Sequence, residues 1–200
     1  MKIFYSAASP FVRKTMIVAD ELGVVDRIER LPAAASPVKR DRNIIPFNPL
    51  GQVPTFITDD EQVLFDSKVI CEYLNTTFKG KLFGDDNTRF KLLTDHAVAD
   101  GAIAASLLVR YELLARPEAL RWDEWLEGQT DKITTALQYF EDKAQELYDR
   151  IDIVTITLAC AFDYLDFRLP DYNWQKRFPG LKAWYDKFSV RESIAKTKPQ

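Results

Sequence analysis

The sequence predicts a small mixed four-stranded sheet covered by helices, followed by an all-helical part. Three observations carry this. The first part runs strand, helix, strand, then a loop, then strand, strand, helix. Residues 79–88 (KGKLFGDDNT) gather two glycines, two aspartates and an asparagine, the composition of a linker. Beyond them the apolar positions recur with the helical period. The expected domains are residues 1–78 and 89–200, joined by 79–88.

Each element has its own signal. Residues 2–6 (KIFYS) read as a strand. Ser9 before Pro10 is a helix start: a hydroxyl at the cap and a proline whose missing N–H is no loss. Val12, Met16, Ala19 and Leu22 continue the helical period, and Gly23 stops it. Residues 26–31 alternate as a second strand, and 32–50 read as an irregular loop with one helical turn. Residues 53–58 and 62–65 form a hairpin around Asp59, Asp60 and Glu61, and a helix follows over 67–77. In the second part, helices are expected over 88–114, 121–148, 153–168 and 180–190.

Composition narrows the function. The 200 residues are 46% hydrophobic and 28% charged, an ordinary globular balance. A net charge of −3 argues against nucleic acid, which needs a basic face. Residues 1–84 hold 11 basic and 10 acidic side chains, so the less negative surface lies in the first part. Residues Met1 to Tyr5 are too short in apolar residues for a signal peptide. No apolar run approaches the roughly 20 residues of a membrane span, so a cytoplasmic protein with no membrane partner is expected. Cys71 and Cys160 fit buried reduced thiols, His96 fits a helix position near the core, and no metal spacing is present. Arg13 and Lys14 read as solvated positions after the helix start.

Three local features of the first part suggest chemistry together. At Ser9-Pro10-Phe11, a helix N-terminus and a hydroxyl favour an anion and can stabilise a thiolate. Asn48-Pro49-Leu50-Gly51-Gln52-Val53-Pro54 opens a strand. A cis Val53–Pro54 bond there would leave the Val53 backbone open to an extended peptide. At Phe65-Asp66-Ser67, a second helix start offers Ser67 and its amides to a carboxylate and Asp66 to an ammonium. A ligand with a thiol, a peptide backbone and an amino acid end bearing both charges fits all three. Glutathione is such a molecule. Singly these are ordinary caps and turns; their order and spacing make them specific.

With SPFVRK (9–14), NPLGQVPTF (48–56), LFDSKVICEYL (64–74), ADGAIAASLLVRYE (99–112), TLACAFDYLDFR (157–168) and FPGLKAWYDKFSVRESIAKTKP (178–199), the chain resembles bacterial cytosolic glutathione S-transferases from end to end. The resemblance implies a thioredoxin-like α/β domain (βαβ-ββα) plus an all-α domain, a homodimer, and conjugation of glutathione to small hydrophobic electrophiles. It places Ser9 at the glutathione sulfur as the catalytic residue. It places Phe11, Gln52, Val53, Pro54, Asp66 and Ser67 around the glutathione, with Val53 pairing the cysteinyl backbone and Asp66 and Ser67 holding the γ-glutamyl end. Tyr5, the main rival to Ser9, is grouped with Tyr111 and Trp174 as the electrophile pocket. Glutathione is then the co-substrate and no metal is implied.

The chain departs from the family pattern at three places. Asp66 stands where Glu or Gln is usual. Gln52 stands where lysine is frequent, which removes a cation near the glycyl carboxylate. Asp152 and Thr155 exchange the usual polar types of a helix capping box, and Thr155 is expected to reciprocate weakly. A serine rather than a cysteine at position 9 argues against thiol transfer and dehydroascorbate reduction, which need a protein thiolate. A glutathione-binding scaffold with little turnover and a glutathione-dependent peroxidase are the alternatives.

Overall fold

The computed structural model describes residues 1–34 and 36–199. The chain divides into two compact units, Met1–Phe83 and Gly84–Pro199.

The first unit contains β1 (Lys2–Tyr5), α1 (Pro10–Glu21), β2 (Glu29–Pro32), β3 (Thr55–Ile57), β4 (Val63–Leu64) and α2 (Ser67–Thr77). The strand order is β2-β1-β3-β4. β1 and β2 are parallel; β1 with β3 and β3 with β4 are antiparallel. Successive side chains of a strand alternate between faces, and here both faces are covered. Ile3 and Phe56 are fully buried, and α1 packs against α2. Phe4 and Ile57 instead share a cluster with Ile44, which comes from the long loop after β2. Phe47 of the same loop lies 5.3 Å from the Phe4 ring. The loop is thereby anchored to the sheet by apolar burial.

The helix starts are where local chemistry places them. Ser9 caps α1 with Pro10 at its first position. Gly23 takes φ +68°, which an L side chain resists, and its N–H bonds the Asp20 carbonyl at 2.8 Å. The second strand is shorter than the expected 26–31. Residues Val25–Arg27 close a 3₁₀ turn onto Val24 before extension begins. Arg13 and Lys14 are not solvated: both are buried in α1, with the Lys14 ammonium 5.6 Å from the Phe11 ring.

The second unit contains α3 (Arg89–Ala115), α4 (Asp123–Glu141), α5 (Ile153–Arg168), α6 (Trp174–Arg177), α7 (Pro179–Phe188) and α8 (Glu192–Ala195). α5 is buried on every side from Ile153 to Leu165, as a helix apolar all round must be, and α3 packs against both α4 and α5. The helix expected over 121–148 is interrupted at both ends. Glu112 accepts the Trp122 N–H at 3.2 Å, and Arg121 donates to the Leu113 carbonyl at 2.7 Å, so the chain stays extended until Asp123. After Glu141 it turns through a 3₁₀ segment, Ala144–Leu147, whose Leu147 carbonyl accepts the buried Trp184 indole N–H at 3.0 Å.

Two carboxylates tie this unit together. Glu141, at the end of α4, accepts the amides of Gly180 and Leu181 at 2.8 Å each and so caps α7 across the bundle. Asp95 of α3 accepts from Tyr139 at 2.6 Å and from Lys143 and Lys91 at 3.1 Å. Burial pushes the Asp95 carboxyl up, but these hydrogen bonds outweigh it and hold it below its usual value. By length and composition alone α3 would pass for a membrane-crossing helix. Half of that stretch is buried within the protein, the position of a bundle's core helix.

Candidate functional site

Sheet topology brings the three sequence features of the first unit to one edge. β1 ends toward Ser9. β3 is antiparallel to β1, so the Val53–Pro54 segment that leads into it emerges at that same end. β4 is antiparallel to β3 and leaves the sheet there too, leading into Asp66 and Ser67. β2, parallel to β1, delivers its long loop to this edge as well.

At the first position, the Ser9 Oγ accepts the Val12 N–H at 3.3 Å, and its backbone N–H is held by the Ser6 carbonyl at 3.1 Å. As an acceptor in the cap, the hydroxyl keeps its proton available to donate outward. Ser9 and Phe11 are half-buried, at a helix start whose free amides and dipole favour an anion.

The second position is built by Asn48, which heads the motif but is given no role of its own by the sequence. Asn48 is buried. Its Oδ1 accepts the Leu50 N–H at 3.0 Å, and its Nδ2 donates to the Gln52 carbonyl at 3.3 Å and to Thr55 Oγ1 at 2.9 Å. Thr55 adds its own bond to the Gln52 carbonyl at 2.7 Å. Gly51, at φ +63°, completes the turn with an N–H bond to the Asn48 carbonyl at 2.8 Å. The following Val53–Pro54 bond is cis. Pro54 is buried, Val53 is half-buried and the Gln52 side chain is exposed. Among the described residues, no hydrogen bond is formed by the Val53 N–H or C=O. A signal for this role was present in Asn48 itself, since its amide can copy a backbone turn.

At the third position, Asp66 caps α2 by accepting the Lys68 N–H at 3.0 Å. The Phe65–Asp66 bond is also cis, although no proline follows, and nothing local in the sequence announces it. Asp66 is exposed and Ser67 is buried at the head of α2.

The expected pocket residues are placed differently from one another. Tyr5 is half-buried at the end of β1, with the Arg30 guanidinium 4.9 Å from its ring. In the second unit, Tyr111 is half-buried on α3, and burial pushes its phenol up. Trp174 is a correction. It is 1% exposed, stacked on Phe162 at 4.0 Å and 10°, with its indole N–H donated to Asp166 at 2.8 Å. Both ring face and polar edge are occupied inside the helical core. No group of three or more His, Cys, Asp or Glu side chains among the described residues is arranged to hold a metal.

The family model of the glutathione S-transferase N-terminal domain matches residues 8–77, and that of the C-terminal domain matches residues 123–187. The uncharacterized GST-like protein YibF of Escherichia coli (strain K12) is 34% identical over 205 residues, spanning 100% of this chain and 98% of that protein. The chain belongs to the glutathione S-transferase family. A glutathione transferase family member from Pseudomonas fluorescens Pf-5, solved with bound glutathione, is 42% identical. It superposes with a TM-score of 0.96 over 100% of this chain and 98% of that one. A second structure from Pseudomonas fluorescens Pf-5, holding S-(propanoic acid)-glutathione, gives 42% identity and a TM-score of 0.91 over 100% of each chain. The first unit is accordingly the family's thioredoxin-like domain and the second its helical domain.

Proposed function

We propose that this transferase binds glutathione along the Ser9, Val53 and Ser67 edge and conjugates its thiolate to small electrophiles. The observation that carries the reading is the convergence of free groups on one sheet end. Two helix starts flank the Val53 backbone, whose N–H and C=O make no hydrogen bond within the described residues. An extended peptide supplies the missing pair of backbone bonds. Its γ-glutamyl carboxylate meets the amides at the head of α2 and the Ser67 hydroxyl, and its ammonium meets the exposed Asp66. Its sulfur meets the hydroxyl of Ser9. A 42% identical relative that has been solved with bound glutathione and with S-(propanoic acid)-glutathione supports the choice of ligand.

The chemistry needs little from the protein. The thiol loses its proton to solvent. The Ser9 O–H then donates to the thiolate, favouring the charged form within a positive helix end. The thiolate attacks the electrophilic carbon, forming the C–S bond. The displaced group leaves with the bonding electrons, or an activated alkene takes a proton from water. Positioning of sulfur against carbon supplies the rest of the acceleration. Phe11 and Tyr5 offer apolar surface for the electrophile beside the sulfur; Trp174, buried in its stack, is left out of this assignment. A homodimer belongs to this reading as well.

The test is conjugation of a chlorodinitrobenzene-type electrophile, with glutathione affinity measured alongside by calorimetry. Replacing Ser9 by alanine is expected to lower kcat/KM about 100-fold while glutathione still binds. Unchanged turnover in Ser9→Ala removes Ser9 from the mechanism. Tight glutathione binding without turnover in the wild type would make the protein a binding scaffold.

A further inference from the structure

Near the C-terminal ends of α3 and α5, the second unit gathers four polar side chains that its own fold does not use. Arg110 and Tyr111 stand in the last two turns of α3, and Tyr164 and Arg168 in the last two turns of α5, which packs against it. Tyr164 is only 4% exposed, yet its phenol makes no hydrogen bond among the described residues. A buried O–H without an acceptor is costly, and native proteins rarely keep one without a use for it. Tyr111, Arg110 and Arg168 are half-buried, and they too form no hydrogen bond or ion pair among the described residues. Arg168 rests its guanidinium on the Phe167 ring at 3.8 Å, which occupies the face of the group and leaves its N–H edge open. Burial first and Tyr111 second push the Tyr164 phenol up, and Arg168 and Arg110 pull it back. Such influences fade with distance, so the four side chains share one neighbourhood. Burial pushes the Tyr111 phenol up as well, and both O–H groups keep their protons at neutral pH.

Two hydroxyl donors and two guanidinium groups with no acceptor among them describe the recognition of an anion. The carboxylates nearest in sequence are engaged elsewhere. Glu112 pairs with Arg116 at 2.6 Å, Asp166 accepts from Trp174 at 2.8 Å and Gln175 at 2.6 Å, and Asp163 lies 3.7 Å from Lys198. A carboxylate from outside suits the set. Each of its oxygens takes one phenol, and the lone pairs that remain take guanidinium N–H groups. A neutral hydrophobic molecule would leave the buried phenol and both cations without an acceptor. We propose that the second unit binds a small organic acid by its carboxylate, held by Tyr111 and Tyr164 with Arg110 and Arg168 as the neutralising cations. The site is built from the second unit alone, and it stands whether or not the first unit holds glutathione.

The experiment compares para-fluorobenzoate with its neutral counterpart para-fluorobenzamide by fluorine NMR titration of the whole chain, with and without saturating glutathione. The wild type is expected to bind the acid about tenfold more tightly than the amide, the worth of one charge-assisted hydrogen bond. Tyr164→Phe and Arg110→Gln are each expected to lose most of that preference. Lys132→Gln, on the exposed side of α4, should keep all of it. The acid-to-amide ratio cancels any general loosening of the helices, so a disturbed fold cannot imitate the result. Equal affinities in the wild type, or no binding of either probe, overturn the proposal. A preference that survives both Tyr164→Phe and Arg110→Gln overturns it too, because the acid then sits on other groups. Displacement of the acid by glutathione assigns it to the glutathione ligands instead and counts against the proposal in the same way.

Discussion

Asn48 shows how a single buried side chain can shape a turn beside the candidate site. Its amide holds the Leu50 N–H, the Gln52 carbonyl and Thr55 together, and so fixes the direction in which the Val53 backbone points. Tyr164 on α5 shows the complementary case, a polar group set by its surroundings. Burial first, and neighbouring Tyr111 second, push its phenol from 10.0 up to about 12, although Arg168 and Arg110 pull the other way. The folded state therefore holds this proton more tightly than the unfolded chain does. Its contribution to stability is complete below pH 10 and is lost as pH rises from there toward 12. Denaturant unfolding followed from pH 9 to about 11.5 should fall more steeply for the wild type than for Tyr164→Phe. The full difference is about 2–3 kcal/mol. Parallel curves would show that Tyr164 titrates normally.

At the scale of the element, helix starts decide much of this structure. α1, α2 and α5 all begin at side chains that accept a backbone amide: Ser9, Asp66 and Asp152. Asp152 accepts the Val154 and Thr155 amides at 2.9 and 3.1 Å, and Arg150 clamps its other oxygen at 2.7 Å. Thr155 returns a full bond, its Oγ1 accepting the Asp152 N–H at 3.0 Å, where its short side chain had suggested a weak one. The capping box is therefore complete with its polar types exchanged. Asp152→Ala is expected to cost about 1–2 kcal/mol and Thr155→Val about 1 kcal/mol. The double variant should cost less than the sum, because each removes a partner of the same cap. Thermal unfolding of the three variants reads this, and strict additivity would separate the two residues. Local signals of this kind were legible in the sequence: a hydroxyl before Pro10, an acidic residue before Ser67, a glycine after Leu22. The caps depend on residues two or three apart, so no tertiary knowledge was needed.

At the scale of the whole molecule, what was legible was the order of elements and the family, and what escaped was set by distant contacts. The mixed sheet followed by helices was readable because periodicity is local. The anchoring of the loop after β2 to the sheet by Ile44 and Phe47 joins distant residues, which no spacing encodes. Trp174 looked like a pocket aromatic because its stack with Phe162 joins residues twelve positions apart on different helices. Arg13 and Lys14 looked solvated because charge outweighs position in a sequence, whereas their helix face is turned inward. The groups proposed for glutathione, the Val53 backbone, the Ser9 hydroxyl and the starts of α1 and α2, all lie in the first unit. The central claim, that Ser9 holds a glutathione thiolate on the first unit, is tested most directly by titrating the ultraviolet absorbance of the bound thiolate against pH. The account predicts a pKa at least one unit below the roughly 8.5 of a free thiol, returning toward that value in Ser9→Ala. A bound thiol that titrates like the free one in the wild type, or a depressed value that survives Ser9→Ala, would contradict it.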